Sequence, residues 1–345
     1  MNSNAIDYYR MTIPEKYGDC RFFCFRILLS YYGYYPSEED MLVIGEGLSF
    51  SLVNTSPLST KIYCPVGRTM CLEKMYGERA GIGITVNYFE NNCVDDMIDK
   101  VKQKIDVGDP IVVNVDRYYL EYLSIQRAHM GYHTILIFGY DDEKHLFFLF
   151  DGLMGSKVVE LSYRDFHKAV LSDCTIATEK MWYSVEGCQH IPNKEIKERT
   201  VALAIRNTCK RVISEIEFTH SVVGVLKRSF IDGDISNPQI IKFLVIQSNV
   251  FFQSFIEQDC YRYFYRKTFL AFLNRYIELF PKSHQKRITE SGNDLIKSIQ
   301  EVHNAWKQDA GRALVAFDAF IEKEEAMHYL LLDALQSSFH SDCLH

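Results

Sequence analysis

No stretch of this 345-residue sequence reaches the roughly 18 consecutive apolar residues that a membrane-spanning helix needs. The opening segment, "MNSNAIDYYRMTIPEKYG", has no basic start leading into an apolar run, which argues against an export signal. Positive charge is not in excess either. Lys and Arg number 38 against 45 Asp and Glu, a formal net charge of −7, so nothing draws the chain to nucleic acid or to an anionic membrane surface. These absences set the expectation of a soluble, cytoplasmic protein.

Motifs for bound groups are missing as well. There is no P-loop, and "GIGITV" is too short for a dinucleotide fingerprint. No C-x-x-C pair occurs; His129 and His133 with Cys64 and Cys71 are the nearest approach to a zinc set, without the close spacing such a site uses. Neither a metal nor a cofactor is expected. The ten cysteines are scattered irregularly, which fits reduced, mostly buried thiols better than a disulfide framework. Internal repeats and low-complexity tracts are also lacking.

What is present is a large apolar fraction. At 47% hydrophobic residues the chain can bury one large core or two modest ones, and its length favours two domains. Between residue 20 and about 185, helix-like and strand-like patterns alternate. "CRFFCFRILLSYY" is a helix closing at Gly33, and "PSEEDMLVIGEG" opens another. "GIGITVNYF", "PIVVNVDRYYL", "HTILIFGY" and "HLFFLFD" read as strands bounded by Gly, Pro and Asp, with the amphipathic helix "CVDDMIDKVKQKIDVGD" between the first two. Beyond about residue 190, five long segments keep the three-to-four residue apolar spacing of helices. "NPQIIKFLVIQSNVFFQSFIEQ" and "YRYFYRKTFLAFLNRYIELF" are two of them. The boundary falls in "SVEGCQHIPNKE", which gives an α+β domain over 1–187 and an all-α helical domain over 188–345.

One short motif carries chemistry. In "YGDCRFFCFRILLSYYG" a cysteine follows Gly-Asp at the first turn of the helix. With Asp19 as cap, Cys20 stands where unpaired N–H groups and the helix dipole favour a thiolate. The plain alternative is a small buried apolar side chain, as Cys24 one turn later would be. Arg21 either adds positive potential or points to solvent. A nucleophilic cysteine needs a base and a group to orient it. "YHTILIFGYDDEKHLFFLFDG" supplies candidates: about a hairpin turn centred on Asp142, His133 lies nine residues before and Asp151 nine after, opposite one another on one face. Taken singly, His133 also reads as a strand-end histidine on a backbone carbonyl, and Asp151 as a solvated turn residue. A register slip by one residue separates the two.

"DCRFFCFRILLSYYG", "HTILIFGYDD" and the later "FDG" resemble papain-like cysteine peptidases, notably those that process bacteriocin leaders. With "YYGYYPSEED", "GEGLSF", Arg68, "PIVVNVDRYYLEYL" and "VVELSYRDFHKAV" added, residues 15 to 185 more closely resemble the N-terminal domain of the butirosin biosynthesis protein H family. That resemblance implies a papain-like fold and an acyltransferase of bacterial antibiotic biosynthesis. An acyl-carrier-protein thioester would be the donor and a small-molecule amine the acceptor. Carried over, Cys20 is the nucleophile, His133 the general base and Asp151 its partner. Gly45, Glu46, Gly47 and Ser49 of "GEGLSF", with Arg68, would line the substrate pocket; "GEGLSF" by itself reads as a turn. The peptidases keep a glutamine shortly before the cysteine as oxyanion donor, and residues 1–19 contain none. The Cys20 backbone N–H with Tyr17, or Lys16, would then take that role.

Two other functions compete with acyl transfer: a papain-like peptidase or amide hydrolase, in which water replaces the amine, and a binding module without catalysis. "CYRYFYRKTFLAFLNRY" interleaves aromatic and basic residues, but in an acidic chain its helical spacing reads as a core face whose exposed edge suits an acidic carrier protein.

Overall fold

The computed structural model describes residues 3–15, 18–54, 63–69, 72–90, 93–123, 129, 131–173, 178–186, 196–230 and 265–339. In chain order the elements are β1 (Ser3–Ala5), α1 (Cys20–Tyr31), α2 (Glu38–Ile44), β2 (Leu48–Asn54), β3 (Tyr63–Arg68), α3 (Leu72–Ala80), β4 (Ile84–Tyr88), α4 (Val94–Asp106), β5 (Ile111–Val115), β6 (His133–Asp141), β7 (Leu146–Phe150), β8 (Val158–Ser162), α5 (Tyr163–Val170), β9 (Met181–Val185), α6 (Glu198–Phe230), α7 (Arg266–Arg275), α8 (Lys282–Trp306) and α9 (Ala310–Ser338). Helices and antiparallel strands together make an α+β protein. No helix among the described residues is long and apolar enough to cross a membrane.

The chain divides into two compact units, Met1–Ser37 with Ala80–Glu195, and Glu38–Arg79 with Ile196–His345. A single cut near residue 187 therefore differs from the observed division, in which the chain changes unit after Ser37, Arg79 and Glu195. The cause is the segment from α2 to α3, whose polar groups find their partners on helices far downstream. The Ser49 hydroxyl and the Phe50 N–H both donate to Glu215 of α6, at 2.9 and 2.6 Å. Every described element after Glu195 is helical, but the second unit also holds the antiparallel pair β2 and β3. "NPQIIKFLVIQSNVFFQSFIEQ", the boundary stretch 187–195 and residues 261–264 lie outside the described residues.

The first unit is built on a seven-stranded antiparallel sheet in the order β4-β9-β5-β6-β7-β8, with β1 added to β6. All residues of β5 and β9 are buried, as expected for inner strands. Helix α1 is apolar nearly all round: ten of its twelve residues are buried, Phe22, Phe23, Phe25, Ile27, Leu28 and Leu29 among them. A helix of that kind belongs in a core, where each such side chain contributes roughly 1.5–3 kcal/mol. The amphipathic α4 buries Met97, Ile98, Val101 and Ile105, at the spacing read from the sequence.

The β6–β7 hairpin decides where the site can form. Asp141 pairs with Leu146 and Tyr140 with Phe147, so the turn is centred later than Asp142. Continued unbroken, that register would set Asp151 opposite Leu136, on the face away from His133. An irregularity between Ile137 and Gly139 shifts the pairing by one residue, and Leu136 then faces Phe150. One step further Asp151 stands opposite Ile135, on the same face as His133 and diagonal to it. There is no room for a side chain at Gly139 because β1 pairs closely with β6 there: a Cβ on Gly139 would lie 2.8 Å from the Ala5 Cβ.

Candidate active site

Cys20 begins α1, and Asp19 caps it. The Asp19 carboxylate accepts from the N–H groups of Arg21 at 2.7 Å and Phe22 at 3.4 Å, which fixes the chain direction into the helix. The thiol is thus set among the N–H groups of the first turn, where negative charge is stabilised. Arg21 does not point to solvent. It is fully buried, its Nη2 donates to Asn114 Oδ1 at 2.9 Å, and its guanidinium lies 5.5 Å from the centre of the Tyr183 ring. It ties the start of α1 to β5 and β9.

His133 opens β6, and its side chain bridges Cys20 and Asp151. His133 Nε2 lies 2.8 Å from Asp151 Oδ2, and Cys20 is its other hydrogen-bond partner. With Nε2 engaged by the carboxylate, Nδ1 is the ring atom left for the thiol. Burial alone would push the imidazole pKa down; the charge of Asp151, then that of Cys20, and hydrogen bonds to both outweigh it and lift the value to about 10. The attraction is mutual, so a thiolate at Cys20 and an imidazolium at His133 stabilise one another.

Asp151 is fully buried, not a solvated turn residue. Burial opposes its ionisation, but His133, the Leu153 N–H and the Tyr122 hydroxyl hold its carboxyl below the usual range. Oδ1 accepts from Leu153 N–H at 2.8 Å, and Oδ2 takes the Tyr122 O–H at 2.9 Å beside His133. Tyr122 stands in the short turn Glu121–Leu123, and the sequence reading missed it because nothing local in "LEYL" marks a partner 29 residues away.

A pH dependence follows. His133 is raised from 6.5 to about 10, so the stability it confers is fully present below pH 6.5 and is lost as the pH rises toward 10. Urea midpoints measured from pH 6 to 10 should fall across that window, and His133→Gln should flatten the decline.

Cys24, one turn after Cys20, is a different kind of thiol. It is wholly buried, donates to the Thr134 carbonyl at 3.3 Å, and its pKa is pushed well up by burial and by the charge of Cys20. The second unit holds another contrast. Cys209 Sγ lies 3.2 Å from His328 Nδ1, and His328 Nε2 lies 3.1 Å from Glu324 Oε1, all fully buried. Here the thiol sits inside α6 away from any helix start, and burial followed by the charge of Glu324 pushes its pKa up. The Glu324 charge is spent on Arg266, with contacts of 2.6, 2.9 and 3.1 Å. A Cys, His and carboxylate in contact are therefore not enough; position at a helix start separates the two clusters.

The remaining site candidates have structural partners in the second unit. Gly45 packs so closely that an added Cβ would lie 2.5 Å from the Met41 carbonyl oxygen, and one on Gly47 would lie 2.9 Å from that of Leu42. Glu46 pairs with Arg79 and accepts from Asn207 Nδ2 at 2.7 Å. Ser49 is held by Glu215, and Arg68 Nε donates to the Tyr265 hydroxyl at 3.2 Å. Tyr17 and Lys16 lie outside the described residues. No cluster of three or more His, Cys, Asp or Glu able to hold a metal occurs among the described residues, and Cys71 of the zinc set considered above lies outside them.

Residues 19–152 match the family described as Butirosin biosynthesis protein H, N-terminal. This part of the chain is similar to the N-terminal domain of that family. The matched segment starts at the cap Asp19 and ends one residue after Asp151, so it spans Cys20, Tyr122, His133 and Asp151. The butirosin biosynthesis protein H family is a biosynthetic one, named for an antibiotic pathway. No curated protein matches the chain.

Proposed function

We propose that the chain is a cysteine-dependent acyltransferase of antibiotic-type biosynthesis, with a papain-like arrangement in its first unit. The contact of Cys20, at a helix start, with His133 and, through it, buried Asp151 carries this reading. The family match supports the biosynthetic setting.

The chemistry divides into two half-reactions. Cys20 Sγ, as thiolate, attacks the carbonyl carbon of a thioester such as an acyl-carrier-protein conjugate. The oxyanion is held by the Cys20 backbone N–H at the positive end of the helix and by a second donor such as Tyr17. Collapse breaks the donor's C–S bond, and the imidazolium gives its proton to the departing thiolate. In the second half an amine attacks the acyl-Cys20 ester, neutral His133 takes the amine proton, and the Cys20 thiolate leaves as the amide forms. Asp151 holds the ring so that the same nitrogen serves both steps.

The test is intact mass after incubation with a panel of acyl-pantetheine thioesters. Wild type should gain the mass of the acyl group, Cys20→Ala should gain none, and added amines should discharge the adduct as amide. Discharge at the same rate by water alone would assign hydrolysis in place of transfer. An unmodified wild type whose Cys20 alkylates like an ordinary thiol would sink the enzymatic reading.

A further inference from the structure

Tyr122 reaches the site through its hydroxyl. Its ring lies in the turn Glu121–Leu123, and its hydroxyl donates to Asp151 Oδ2 at 2.9 Å, the oxygen that His133 Nε2 contacts at 2.8 Å. The other carboxylate oxygen is occupied by the Leu153 N–H at 2.8 Å. Asp151 is thus held from three sides, by the backbone after it, by the imidazole and by the phenol.

We infer that Tyr122 is a positioning residue of the candidate site, whose O–H fixes the Asp151 carboxylate and limits how strongly that carboxylate holds the His133 ring. The inference rests on the acyl-transfer reading for its catalytic meaning, but its physical content is independent of it. Two donors on one oxygen share its electron density, so each weakens the hold of the other. Burial, followed by the charge of Asp151, keeps the phenol far above its ordinary pKa, so it remains a donor throughout the working range.

The groups that set the charge balance come from each element packed here. Cys20 and Cys24 come from α1, with the charge of the cap Asp19 reaching Cys24, His133 comes from β6, and Tyr122 from the turn after β5. Of these, only Tyr122 is a neutral donor to the carboxylate. Removing its O–H leaves Asp151 more basic, so protonation of Asp151 and deprotonation of the His133 imidazolium both move to higher pH. The carboxylate also loses one of the three contacts that fix its plane, so the ring is oriented less well for proton transfer.

Tyr122→Phe keeps the ring and deletes one oxygen. In this variant the His133 imidazole, followed by NMR, should titrate about half a pH unit or more above wild type. Single-turnover acylation of Cys20 should slow about tenfold, the scale of one hydrogen bond to a charged group. The thermal midpoint reports whether the fold is kept, and Tyr122→Leu, which removes the ring as well, separates packing from hydrogen bonding. A Tyr122→Phe protein with wild-type titration and rate, alongside an impaired Tyr122→Leu protein, would reduce Tyr122 to a packing residue and overturn the inference. If wild type itself shows no acylation, the acyl-transfer reading falls, and the His133 titration still decides the role of Tyr122.

Discussion

Asp151→Asn is expected to slow acylation of Cys20 by about 10⁴, the scale of loss for the same exchange in serine-protease triads. The carboxylate sits 2.8 Å from His133 Nε2 in a fully buried position, so no water replaces it when its charge is removed. An asparagine can present an amide N–H to Nε2, which would place the ring proton on Nδ1, facing the thiol. A base cannot accept the thiol proton at a nitrogen that already carries one. Loss of the negative charge also withdraws the largest support for the imidazolium, leaving burial to push the His133 pKa down. The variant should therefore show a Cys20 that alkylates slowly at neutral pH and quickens only as the solution becomes alkaline. Stopped-time intact-mass measurements give the acylation rate. A loss of less than tenfold would mean that Asp151 is a structural residue and that another group orients the ring.

The second large effect is on stability and lies in the second unit. Glu324→Gln is expected to cost about 3–5 kcal/mol, because it leaves the Arg266 guanidinium buried without a counter-charge. The pair is fully buried, with three contacts between 2.6 and 3.1 Å, and Arg266 Nη1 also donates to the Ser49 carbonyl at 3.0 Å. The network therefore joins α7 and α9 to β2. Burial works against the Glu324 charge, but Arg266 and then His328 outweigh it and bring the pKa from 4.5 down to about 2. Its contribution to stability is present above pH 4.5 and is lost as the pH falls toward 2. Denaturant unfolding of wild type and variant at pH 7 and pH 3 checks both points. The gap should be wide at pH 7 and narrower at pH 3. The double replacement Arg266→Met with Glu324→Leu should cost less than Glu324→Gln alone, since no charge is then stranded. Equal stabilities of wild type and Glu324→Gln at pH 7 would show that the pair adds nothing.

Much of the first unit was legible because its signals are local. An aspartate before an apolar helix caps it whatever the rest of the chain does, and the Cys20 position follows from that cap. β-rich runs bounded by Gly, Pro and Asp marked β5, β6 and β7, and the 3.6 pattern marked α4. β2 and β3 were not seen, because "GEGLSF" looks like a turn until its polar groups meet Glu215 and Arg266, more than 160 residues away. The same long reach explains why a single domain cut differs from the observed units.

The hairpin shows most sharply where local reasoning stops. A symmetric count about Asp142 placed His133 and Asp151 directly opposite, whereas the turn lies later and the two are diagonal neighbours. They share a face only because the pairing shifts by one residue between Ile137 and Gly139, where β1 pairs with β6. Alternation along a strand states which residues share a face within that strand; the match to its partner is set by the turn and by what packs on the ladder. The sequence by itself determined the types of several elements of the first unit, among them α1, α4, β5, β6 and β7, together with the capped thiol and the presence of a histidine and an aspartate about one hairpin. Only the tertiary structure decided that those side chains meet, that Tyr122 joins them, and that the "GEGLSF" residues pack within the second unit. Caps and periodicity act over a few residues, while register and burial are settled by contacts made across the whole fold.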